Sequence, residues 1–174
     1  MDDLEARLAK LMGHAVGKGI PEIAPVPAGP APPATADEEH EKEAAAAVDE
    51  LRAKAEAVLK SLHIDKNVPV KRYLNSADAM HRQGNQYARE QDDAHAYILL
   101  FRFTSFFLGR LPEHPMLFKD AAAQAERKRL KKEVISSLGR LETLKDLLKE
   151  TYKKEAAAAA AAAASAAAEP SEPE

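Results

Sequence analysis

Large apolar side chains in this chain recur at three- and four-residue spacing in successive blocks, with Pro and Gly between them, so the pattern predicts helices and no strands. Leu4, Leu8 and Leu11 form one stripe between Met1 and Met12 behind an acidic first turn, and Gly13, Gly17 and Gly19 end it. Pro21 to Pro33 alternates Pro, Ala and Gly, which predicts an extended linker of polyproline character. Thr35-Ala-Asp-Glu38 fits a capping box, and Val48, Leu51, Ala55, Val58 or Leu59 and Leu62 then follow at helical spacing, giving a helix to about His63. Asn67-Val-Pro69 interrupts it, because the residue before Pro disfavours the helical conformation. A further helix is expected after a cap at Asn75 or Ser76, with Ala79, Met80, Gly84, Tyr87 and Ala88 on its inner side.

Asp92-Asp93 turns the chain into the segment from Ala94 to Leu111, apolar around most of its circumference and therefore expected at the centre of the fold. Leu111-Pro112 and Pro115 stop it. A long last helix is expected from about Leu117 to Tyr152, prolonged by the Ala-rich tract Ala156 to Ala168, since Ala has the highest helix propensity. The expected organisation is a short amphipathic helix at 1–12, a linker at 13–36, a helical domain at 37–154 and a low-complexity tail at 155–174. The fold class is all-α, an antiparallel helical bundle with a long C-terminal helix.

Charge sharpens this picture only locally. The formal net charge is −3, but residues 1–64 hold 7 Lys+Arg against 12 Asp+Glu, while 119–154 hold 11 against 6. An acidic front and a basic back attract weakly when exposed, so solvated faces are the first reading. Arg127-Lys-Arg-Leu-Lys-Lys132 is basic but interspersed with acids, and nucleic-acid binding is not expected; a peripheral contact with an anionic membrane suits the run better. The start of the chain lacks a signal-peptide pattern and no apolar run is long enough for a span, so a soluble cytoplasmic protein is expected.

Candidate chemistry is sparse. Without Cys there are no thiolate nucleophiles or Cys-based zinc sites. The six His at 14, 40, 63, 81, 95 and 114 never fall in a His-x-His arrangement with a following Ser and Asp, as a zinc protease of that type requires. His95 and His114 lie at helix boundaries and read as capping or packing residues, and Tyr73, Tyr87, Tyr97, Phe101, Phe103 and Phe106 read as core. No catalytic residue, metal or cofactor is expected, and the chain reads as a non-enzyme.

Two segments carry a resemblance. Val68-Pro-Val-Lys-Arg-Tyr73-Leu and Asp93-Ala-His95-Ala-Tyr97-Ile-Leu-Leu-Phe-Arg102-Phe103, followed by Phe106 and Leu111-Pro112-Glu-His114, are similar to the N-terminal domain of AMSH-type and ubiquitin-specific-protease endosomal deubiquitinases. Within the hairpin Asn67–Lys119, Gly84, Tyr87 and Ala96 also match the close-packing pattern of tetratricopeptide and microtubule-interacting-and-transport (MIT) helices. The resemblance implies an MIT-like module that dimerises or binds subunits of ESCRT-III, the membrane-remodelling polymer, and Lys71, Arg72 and Tyr73 are its candidate surface residues.

Leu4-Glu-Ala-Arg7-Leu8-Ala-Lys-Leu11 resembles the MIT-interacting motif Leu-x-x-Arg-Leu-x-x-Leu. In that motif leucines fill a groove between two helices while the Arg reaches an acidic rim. Leu4, Arg7, Leu8 and Leu11 are therefore candidate partner-binding residues, with an MIT-domain protein or ESCRT-III subunit as partner. The implied function is a non-catalytic adaptor, cytoplasmic and peripheral on endosomes. Two alternatives stay open: regulation of a deubiquitinase by domain pairing, and a dimeric helical protein joined through the coiled-coil spacing of Leu141, Leu144 and Leu148.

Overall fold

The computed structural model describes residues 36–167 together with Leu4, Ala6, Arg7 and Lys10. Thr35 of the expected capping box, the Pro21–Pro33 linker, Leu8, Leu11 and the residues after Ala167 lie outside the described residues. Four long helices follow in order: α1 (Ala36–Ser61), α2 (Val70–Arg89), α3 (Asp93–Ser105) and α4 (Ala121–Ala167). A single π-helical turn (Phe106–Arg110) and a 3-10 turn (Leu111–Glu113) continue α3. The protein is all-α, as the spacing predicts, and among the described residues no helix is long and apolar enough to cross a membrane.

α3 is the centre of the molecule. Ala96, Tyr97, Leu100, Phe101, Phe103 and Thr104 are all buried, and α1, α2 and α4 each pack against it. The aromatic cluster extends this core through Tyr97 over Phe101 and Phe103 against Phe107. Thr104, the polar member, is satisfied locally: its hydroxyl donates to the carbonyls of Leu100 and Phe101 at 3.0 Å each.

α2 begins six residues earlier than the sequence reading places it. Pro69 occupies the N-cap with φ −54° and no side-chain cap bond, a position where its missing N–H costs nothing. Val70, Leu74 and Ala77 are buried one helical turn apart, and that stripe extends the helix back to Pro69. Asn75 and Ser76 are therefore exposed interior residues and not caps, and Ala79 faces solvent instead of the inner side. Gly84 is buried where α2 meets α3.

The start of α3 is capped by Asp92, whose carboxylate accepts the His95 backbone N–H at 3.2 Å. Gln91 before it takes φ 61°, which reverses the chain. The π-helical turn is where the expected continuous helix departs from α geometry. It places Phe106 and Phe107, adjacent in sequence, both at 2% exposure or less. α4 begins at Ala121 and not at Leu117, because Asp120 accepts the backbone N–H groups of Ala122 (2.8 Å) and Ala123 (3.3 Å). Leu117 is instead fully buried under the connection.

α4 runs 47 residues, about 70 Å at 1.5 Å per residue. Leu130, Val134, Leu138, Leu141, Leu144 and Leu148 form its buried stripe. This corrects the coiled-coil expectation: Leu141, Leu144 and Leu148 are spent in the core of one protomer and are not free to join two. Beyond Tyr152 the Ala tract stays helical to Ala167, largely exposed. The acidic front meets the basic back where Asp37 pairs with Lys153 at 3.5 Å.

Candidate interaction surfaces

The hairpin of α2 and α3 is held by three anchors that the sequence motifs contain, one buried, one half-buried and one exposed. His114 is 1% exposed; its Nε2 bonds the Val68 carbonyl at 2.9 Å while Nδ1 accepts the Met116 N–H at 3.2 Å. The motif Leu-Pro-x-His thus clips the α3–α4 connection onto the entry to α2. The Tyr73 ring lies tilted against His114 (5.6 Å) and Phe106 (6.4 Å), and its hydroxyl accepts the Asp65 N–H at 2.9 Å. His95 sits against the Tyr87 ring at 5.3 Å and its Nδ1 lies 2.8 Å from Asp92.

Of the candidate surface residues, Lys71 and Arg72 are exposed in the first turn of α2, while Tyr73 is half-buried and engaged by the domain itself. Two of the five basic residues of the run on α4 are also committed. The Arg127 guanidinium lies over the rings of Phe118 (5.0 Å) and Phe107 (5.9 Å), and Arg129 pairs with Asp78 (2.7 Å) and Glu126 (2.6 Å). Burial raises the Asp78 carboxyl pKa, but Arg129 and Arg82 outweigh it and hold the group below its ordinary value. This cross-link between α2 and α4 has no sequence signature; its partners stand 51 positions apart.

Between α2 and α4 runs an open groove of about 500 Å³, lined among others by His81, Asn85, Glu133, Arg140, Leu144 and Leu147. Inside it His81 packs on the Phe103 ring at 5.0 Å, and its Nε2 lies 2.8 Å from the Asn85 amide and 3.5 Å from Glu133. Desolvation lowers the His81 pKa and prevails over the attraction of Glu133, so the ring is an uncharged acceptor for Asn85 above its ordinary range. Arg140 donates to the same Asn85 carbonyl oxygen. Besides Leu147, the exposed large apolar side chains among the described residues are Met116 and Phe118 on the α3–α4 connection, Val58 on α1, and Ile135 on α4.

Of the N-terminal motif, Arg7 reaches the same long helix. Leu4, Ala6, Arg7 and Lys10 are helical, Leu4 is only 8% exposed and joins the hydrophobic core, and Arg7 pairs with Glu142 at 3.3 Å. Lys10 shares a surface cleft with Glu142, Lys145, Asp146 and Lys149. Glu142 was not singled out by any motif, since its role depends on a residue 135 positions away. Among the described residues no group of three or more His, Asp or Glu is arranged to hold a metal ion.

Residues 40–155 match the family described as the USP8 dimerisation domain. The chain belongs to that family. The matched range takes in most of α1, all of α2 and α3, and α4 past Tyr152. Among curated proteins, STAM-binding protein-like A of Danio rerio is 32% identical over 97 residues, 56% of this chain and 23% of the relative. AMSH-like protease sst2 of Schizosaccharomyces pombe is 30% identical over 97 residues, 52% of this chain and 20% of its own. A probable ubiquitin thioesterase of Dictyostelium discoideum, DG1039, is 29% identical over 110 residues, 63% and 15% of the two chains. The chain thus spans less than a quarter of the length of these relatives.

Proposed function

We propose that this chain is a non-catalytic adaptor that works by pairing. Its helical unit associates with a second copy, or with the matching domain of a deubiquitinase, and its Leu4-Arg7-Leu8-Leu11 motif connects that pair to an MIT-domain protein of the ESCRT-III machinery. The observation that carries the reading is the family match over residues 40–155, which is to a dimerisation domain and not to a catalytic one. Relatives named for STAM binding, for AMSH-like proteolysis and as a ubiquitin thioesterase support a place in a ubiquitin-dependent pathway. The endosomal surface, the cytoplasmic side and ESCRT-III follow from the resemblance in the sequence, with Lys71 and Arg72 as the exposed basic pair available to an acidic partner.

The pairing surface lies outside Leu141, Leu144 and Leu148, because those side chains are buried at 4% exposure or less. Two measurements test the two halves. Sedimentation of the full chain reports the pair. Capture of an isolated MIT domain by wild type and by Leu8→Asp reports the motif: the variant is expected to lose capture, and equal capture by both would remove the motif from the account. In a third assay, unchanged ubiquitin-chain cleavage by an AMSH-type enzyme at saturating chain would exclude the regulatory alternative.

A further inference from the structure

Leu4 and Arg7, two residues of the segment that resembles a recognition motif, are already engaged within this molecule. Leu4 is 8% exposed and joins the hydrophobic core of the bundle, Arg7 meets an acidic side chain at 3.3 Å on α4, and Lys10 lines a cleft with Glu142 and Asp146. Lys145 and Asp146 each stand three or four positions from both Glu142 and Lys149, so the four residues share one face of α4. A leucine inserted into apolar surface with an arginine on an acidic rim is the helix-in-groove mode of recognition, here in cis.

We propose that the α4 face around Glu142 and Asp146 is a docking surface for a Leu/Arg amphipathic helix, and that its resident occupant is the chain's own N-terminal segment. The segment is therefore a cap: it withholds the motif from a partner and covers α4 until a competitor displaces it. Residues 11–35 join the two parts, and a ligand tethered by a short linker acts at an effective concentration on the order of millimolar. For an intrinsic dissociation constant of about 100 µM, such a tether occupies the site about nine-tenths of the time and weakens any free competitor about tenfold. The ion pair adds little of this, because side chains 35% and 45% exposed are screened; Leu4 supplies most of it.

The proposal rests on reading Leu4–Leu11 as a recognition motif, and its test does not use an MIT domain. A fluorescent peptide of residues 1–12 is titrated into the full chain as wild type, Leu4→Asp and Leu4→Asp/Glu142→Arg, with each variant's unfolding curve recorded. Leu4→Asp vacates the surface, so it is expected to bind the peptide about tenfold more tightly than wild type. Adding Glu142→Arg removes the acidic rim and is expected to weaken that binding about two- to fivefold. Where Leu4→Asp disturbs the bundle itself, Arg7→Glu on the exposed pair is read instead, with peptide binding about two- to fivefold tighter than wild type. Equal peptide affinity for the wild-type chain and the vacated variant, or no binding to the vacated variant, overturns the cap. A failed MIT capture with this competition intact would count against the adaptor reading alone.

Discussion

Substituting Gly84 tests how closely α2 and α3 are packed. A Cβ at Gly84 falls 2.9 Å from both Cγ and Cδ2 of Leu100 and 3.3 Å from its backbone nitrogen, well inside the 3.5–4.0 Å optimum for carbon contacts. Leu100 is fully buried, and the clash involves Cγ near the root of its side chain, so no rotation at the tip relieves it. The helices must separate by several tenths of an ångström, at an overpacking cost of about 1–3 kcal/mol. Alanine returns up to about 1 kcal/mol of helix propensity, leaving Gly84→Ala destabilised by up to about 2 kcal/mol. Gly139, inside α4, provides the contrast because a Cβ there meets nothing within 4 Å. Gly139→Ala is expected to stabilise by about 0.5–1 kcal/mol. Urea unfolding followed by helical circular dichroism reads both on one chain, and the same sign and size of change in the two variants would refute the close approach.

Leu141→Ala removes a fully buried side chain and is expected to lower unfolding free energy by about 2–5 kcal/mol; chemical unfolding at two protein concentrations shows whether the loss belongs to the protomer, as expected, or only to dissociation. His81 has a folded pKa depressed by burial, so the unfolded chain binds the proton more readily. Its contribution to stability is then present above the ordinary His value of 6.5 and is lost as pH falls through the lower folded value. Unfolding midpoints between pH 8 and 5 should decline more steeply in wild type than in His81→Gln, and parallel profiles would exclude the effect. For Asp78 and Arg129 a double-mutant cycle to Ala is expected to give a coupling of about 0.5–1 kcal/mol, discounted because the Arg is exposed; a coupling of zero would mean that the α2–α4 cross-link contributes nothing.

The sequence reveals most of the fold where punctuation and periodicity agree. The aromatic run from Tyr97 to Phe107 reads as a central helix because nearly every side of it is apolar, and it is buried on nearly every side. Where two local signals compete, tertiary packing decides. Asn75 and Ser76 are good caps by type, but burial of Val70, Leu74 and Ala77 draws the helix back to Pro69. The π-helical turn at Phe106–Arg110 is invisible to a period of 3.6, since it exists to place two adjacent phenylalanines inward. Leu141, Leu144 and Leu148 show the limit of spacing: it marks an apolar stripe without saying whether the stripe faces the same chain or another. At the candidate surfaces, Leu4 and Arg7 stood out by motif, whereas Glu142, Asp78 and Arg129 matter only through contacts made between distant parts of the chain.

The central claim is that this helical unit pairs, and sedimentation equilibrium of the full chain over a wide concentration range tests it most directly. The expected species has twice the 18.9 kDa chain mass and persists in variants of the Arg7–Glu142 pair. A single species at 18.9 kDa, both alone and mixed with an AMSH-type deubiquitinase that carries the matching domain, would contradict it.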